Sequence, residues 1–151
     1  MLHVYGDPDL KFGGLSIWAL CRERPDSEDF CDGNWIHAHA CVEAAGAQID
    51  IHGPWLRSDE IESFQRELTS LNQNLTGGAE LSCMEPYLRV AVTCRSPGAL
   101  EVVVEITPDL MTQEHRFIMM LDQTYLRLAL EGCQRILAKY PVKNAASRQP
   151  T

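Results

Sequence analysis

No stretch of this 151-residue chain approaches the roughly 18 consecutive apolar residues that a bilayer-spanning helix needs. Cations are scarce. Thirteen Lys and Arg stand against twenty-one Asp and Glu, a formal charge of -8. Broad nucleic-acid binding needs cations to neutralise phosphates, so the balance speaks against that class. Six cysteines are present, but no two are spaced C-x-x-C, so neither a zinc knuckle nor a dithiol redox pair is indicated. There is no G-x-S-x-G, no P-loop and no G-x-G-x-x-G. The opening residues lack the basic and long apolar regions of a secretory leader, so the chain is expected to be cytoplasmic with reduced cysteines. An apolar fraction of 45% is that of a globular protein. One domain over 1–142 is expected, followed by a polar, disordered tail at 143–151.

Hydrophobic periodicity divides the chain into strands and two helices. Residues 13–24 open on two glycines and read as a strand, and 25–34, rich in Pro, Asp and Ser, as a loop. Residues 35–43 alternate strictly: Ile36, Ala38, Ala40 and Val42 share one face, Trp35, His37, His39, Cys41 and Glu43 the other. A turn at 44–46 and a second alternating run at 47–52 complete a hairpin, which Gly53-Pro54 is expected to end. A helix then starts at Ser58 or Asp59. Its apolar stripe is Ile61, Phe64, Leu68, Leu71 and Leu75, and Gly77-Gly78 is expected to stop it. Strands are expected at 79–84, 87–95, 99–107 and 114–121. Opposite charges are positioned to pair across their wet faces. Asp122 is expected to cap a last helix with a stripe of Leu126, Ala129, Leu130, Cys133, Ile136, Leu137 and Tyr140. The order β-β-β-α-β-β-β-β-α predicts an α+β fold: an antiparallel sheet or sandwich of about seven strands with two packed helices.

Two constellations resemble chemistry. His37, His39 and Glu43 share one strand face, and H-x-H-x-x-x-E is similar to part of the first cupin motif. The second cupin motif is missing, so a metal-binding small barrel stands only as an alternative, and no cofactor is expected. Cys41 beside His39 suggests a thiol nucleophile, but no orienting group or oxyanion site accompanies it. With no catalytic motif in sight, a non-enzymatic role is expected.

The acidic segment is a different kind of feature. Glu23, Asp26, Glu28, Asp29 and Asp32 fall within ten residues, with Phe30 inside the run and Trp35 just after it. Carboxylates with aromatic anchors suit a basic protein partner, the charge supplying rate and specificity and the rings binding energy. A homodimeric scaffold and an export or assembly chaperone are the remaining alternatives.

The span 32–141 resembles the WapI family of bacterial immunity proteins. The resemblance rests on Asp32-Gly33-Asn34-Trp35-Ile36, the strand at 46–52 and the Leu-rich helix at 60–71. It continues through Leu81 to Glu85-Pro86 and Leu88, then Leu121-Asp122-Gln123-Thr124-Tyr125-Leu126 and Tyr140-Pro141. It implies a cytoplasmic protein that blocks a delivered toxin domain, commonly a nuclease. A nuclease is basic where it holds phosphate, so an acidic inhibitor is steered towards it.

Overall fold

In the structure, a computed structural model that describes residues 5–144, the chain forms two four-stranded antiparallel sheets and three helices. The first sheet has the order β1 (Leu10–Phe12), β2 (Leu15–Arg22), β3 (Trp35–Ala44), β4 (Ala47–Arg57). Helix α1 (Phe30–Gly33) lies between β2 and β3, and α2 (Ser58–Asn74) follows β4. The second sheet has the order β5 (Gly78–Ser82), β6 (Leu88–Ser96), β7 (Ala99–Ile106), β8 (Arg116–Asp122), and α3 (Thr124–Lys139) follows it. The expected α+β class and antiparallel pairing hold. The sheet or sandwich of about seven strands is roughly matched: there are two sheets of four, and two helices become three.

Each difference has a local cause. The glycines at 13 and 14 turn the chain rather than open a strand, so the run expected at 13–24 is trimmed to β2 and a short β1 precedes the turn. Gly53-Pro54 does not end β4. The register steps from Ile36 opposite Leu56 to Ala38 opposite Gly53, so a bulge absorbs the proline, which has no N–H to offer. Helix α2 ends before the glycine pair because Leu75 adopts the left-handed conformation (φ 51°) and its N–H bonds Leu71 O at 2.8 Å. The α3 start holds as expected in part: Asp122 accepts from Thr124 N at 2.9 Å, although the capping position itself is Gln123.

The inner faces of both sheets share one core with α2 and α3. Ile36, Ala38, Ala40 and Val42 meet the α2 stripe of Ile61, Phe64, Leu68 and Leu71 in that core. Val90, Val92, Val102 and Val104 join it from the second sheet. In α3, Leu126, Ala129, Cys133 and Ile136 are fully buried, while Leu130, Leu137 and Tyr140 pack on the core half-buried. Gly132 lets α3 approach β1 closely, since a Cβ there would stand 2.7 Å from Leu10 Cα. The expected cross-strand charge pairs form on the wet face: Arg89 with Glu105 at 3.2 Å and Arg95 with Glu101 at 2.9 Å. The tail expected at 143–151 falls mostly outside the described residues, and Lys143, its first member, is held by hydrogen bonds described next.

Candidate functional site

The acidic segment contains a helical turn rather than an unstructured loop. Asp29 caps α1 by accepting from Asp32 N at 3.1 Å. Glu23 bonds His37 across the sheet. Behind these carboxylates the backbone is fastened by cations and amides from distant parts of the chain. Arg57, only 3% exposed, donates to Phe30 O at 2.8 Å and Cys31 O at 2.7 Å, and pairs with Asp59 at 3.0 Å. Its guanidinium carbon stands 5.3 Å from the Phe30 ring centre and 4.8 Å from that of Trp35. The two aromatics therefore clasp an internal cation.

Three further residues complete the fastening. Buried Asn34 donates to Phe30 O at 2.9 Å and Lys143 O at 3.1 Å, and accepts from Lys143 N at 2.9 Å. Arg22 donates to Gly33 O at 2.9 Å and to Pro141 O. Burial lowers the Arg22 pKa against the opposing charge of Glu28. Lys143 donates to Pro25 O at 2.9 Å and Ser27 O at 2.8 Å, and lies 3.5 Å from Glu28. Gly33 has no room for a side chain, since a Cβ would meet Ser27 O at 2.6 Å. Asp26, Glu28 and Asp32 remain exposed on the outside of this frame.

The odd-numbered face of β3 does not assemble a metal set. His37 goes to Glu23 and His39 to Asp50 at 2.7 Å, while Glu43 sits exposed near the end of the strand. Among the described residues no group of three His, Cys, Asp or Glu side chains is placed to hold a metal ion. The alternative of a cupin-like metal site at His37, His39 and Glu43 is therefore corrected: Glu23, just past β2, and Asp50 in β4 supply a carboxylate to each imidazole. The same neighbours bear on the thiol. Burial and the nearby Asp50 carboxylate push Cys41 up to about 12, the reverse of what a nucleophile requires. Asp50 itself is held below the usual carboxylate range. Burial opposes this, but hydrogen bonds from His39, Gln48 and Cys41 prevail. All six cysteines are free. No helix among the described residues is long and apolar enough to cross a membrane.

A sequence model of the immunity protein WapI-like family matches residues 8–141. The chain belongs to the WapI-like immunity protein family. Comparison with curated proteins and with solved structures returns no match. In this WapI-like chain the two most distant stretches that carry the resemblance are bridged by Arg22, which donates to both Gly33 O and Pro141 O. Tyr140 O accepts from Ser58 Oγ at 2.8 Å and Pro141 O from Arg22, while Asn34 holds Lys143. Gly33, Asn34 and Trp35 at one end and Tyr140-Pro141 at the other thus serve architecture. Sequence reasoning missed Arg57, Asn34 and Lys143 as the frame. The available signal was Arg57 itself, a cation at the capping position of a helix and next to Leu56.

Proposed function

We propose that this WapI-like chain is a non-enzymatic immunity protein that neutralises a toxin domain in the cytoplasm by binding it directly. Its partner surface includes the acidic segment, and the partner is a basic, nuclease-type domain. Family membership over 8–141 carries the reading. The geometry supports it in a specific way. The backbone of residues 25–33 is tied at five carbonyls, so Asp26, Glu28 and Asp32 project from a fixed support. A surface ordered before encounter loses less entropy on binding than a flexible loop. Carboxylates on that support face solvent, where they steer a cationic partner over a screening length of about 8 Å at physiological salt. Phe30 and Trp35, already clasping Arg57, contribute by stiffening the support more than by inserting into a partner.

The test is co-expression with a toxin domain encoded next to this chain in its own genome. Cells are expected to survive with the chain and die without it, and the two purified proteins are expected to co-elute. Killing undiminished by the chain overturns the reading. Protection without co-elution overturns direct binding.

A further inference from the structure

Two sheets present four edges, and three of them are protected. Helix α3 packs along β1 with Gly132 against Leu10. Strand β4 carries Pro54 at its bulge. Helix α2 covers β5, with Glu67 accepting from Glu80 N at 3.0 Å. Strand β8 has no such device: its sequence, RFIMMLD, contains no Pro and no Lys, and its register with β7 runs without a bulge. Unprotected edges of this kind are templates for pairing with another strand.

The direction of the free groups follows from one bond. Ile106 N donates to His115 O at 3.2 Å, which makes that opposed pair a hydrogen-bonded one. Hydrogen-bonded pairs alternate along an antiparallel ladder. Phe117, Met119 and Leu121 therefore turn their backbone groups to β7. Arg116, Ile118, Met120 and Asp122 turn theirs outward. Among the described residues no hydrogen bond engages the outward backbone groups of Ile118 and Met120. Their side chains are also open, at 56% and 63% exposure, beside Val103 on the outer face of the sheet.

We propose that β8 is the seam of a homodimer in which two copies pair this strand antiparallel about a twofold axis at Met119, joining two four-stranded sheets into one. The sequence is matched to itself about that axis. Arg116 and Asp122 each lie three residues from Met119, so each arginine faces the aspartate of the other copy. Ile118 faces Met120, and Phe117 faces Leu121. The outward-turned residues are the ones that fall into hydrogen-bonded register, 116 with 122 and 118 with 120. Sliding by two residues breaks the match. One direction sets Asp122 against Glu114, the other against Ile118. An unrelated strand from a different protein imposes no requirement for this two-sided charge symmetry, which is what selects a second copy as the occupant.

Sedimentation velocity on the full chain over a concentration series tests the seam. The wild type is expected to approach twice 17.0 kDa as concentration rises. Ile118→Pro removes an outward N–H and spares the bonds to β7, so it is expected to remain at 17.0 kDa with a near-wild-type melt. Met120→Lys alters no backbone group and is expected to be monomeric too, which keeps the test intact should the proline variant misfold. Arg116→Glu or Asp122→Arg alone is expected to weaken dimerisation about tenfold, and the double exchange to restore it. Both variants at 122 lose the bond to Thr124, so restoration cannot come from folding. A wild-type chain still monomeric at about 1 mM overturns the proposal. So does a folded Ile118→Pro or Met120→Lys variant that dimerises like wild type. A double exchange that fails to restore the dimer overturns the register.

Discussion

The acidic segment and strand β8 are the two surfaces we propose for protein contacts, and they are built in opposite ways. In the segment, side chains from far along the chain take up the carbonyls of Pro25, Ser27, Phe30, Cys31 and Gly33, leaving mainly carboxylates to face outward. In β8 five of the seven side chains are apolar, and among the described residues the outward backbone groups of Ile118 and Met120 are what remain unsatisfied. Composition would have ranked the first as flexible and the second as settled secondary structure. The hydrogen-bond accounting reverses that order: a segment is available through whichever groups its own fold has not used.

Removing the clasp breaks the contrast most strongly. Arg57→Ala leaves the Cys31 carbonyl without its side-chain donor, leaves Asn34 as the one side-chain donor to Phe30 O, and opens space between two rings. A loss of about 3 kcal/mol is expected, read as a melting temperature lower by roughly 10 °C. Arg57→Lys is expected to recover little, because one ammonium cannot reach both carbonyls and Asp59 in the same geometry. A melt unchanged by Arg57→Ala would mean the segment holds its shape without the clasp.

A pH series offers an effect of comparable size beside the same knot. Glu60 accepts from Arg57 N at 2.9 Å and Met84 N at 2.6 Å, and burial pushes it up to about 7 despite those bonds. The folded state then holds a proton that the unfolded chain releases near its ordinary 4.5. Stability is fully present below pH 4.5 and falls as pH rises through 7, by about 3 kcal/mol in all. Glu60→Gln is expected to flatten that slope at a cost of about 1 kcal/mol from one misdirected amide. Denaturant midpoints at several pH values measure both, and a slope that survives the substitution assigns the proton elsewhere.

The smallest effect on stability is expected on the outer side of the support. Asp26→Lys with Asp32→Lys touches no hydrogen bond made by either side chain and is expected to change stability by less than about 0.5 kcal/mol. Association with the toxin domain is expected to slow about tenfold at low salt and to converge with wild type at high salt. Equal rates at low salt would move the partner surface away from this segment.

Much of the fold was legible because periodicity is local. The α2 stripe and the alternation of β3, β6 and β7 read correctly from neighbours a few residues apart. What escaped was either very short or very distant. Strand β1 has three residues, too few to alternate visibly, and Leu75 takes a left-handed cap that Gly77 advertises better. The site was less legible. The carboxylates stood out, but Phe30 and Trp35 read as free anchors because nothing near them in sequence announces Arg57. The imidazoles of His37 and His39 looked like ligands because their carboxylate partners, Glu23 just past β2 and Asp50 in β4, come from other parts of the chain. Asn34 and Lys143 lie 109 positions apart, a separation no window of sequence spans.

That last pairing also sets an order of events during synthesis. The segment at 25–34 leaves the ribosome well before two of its fastenings can form, because Asn34 waits for Lys143, 109 positions later, and Arg22 for Pro141. The acidic surface therefore acquires its final shape only once residue 143 has emerged. A nascent chain stopped before α3 presents the same carboxylates on a backbone still held by Arg57 but missing the fastenings through Pro141 and Lys143.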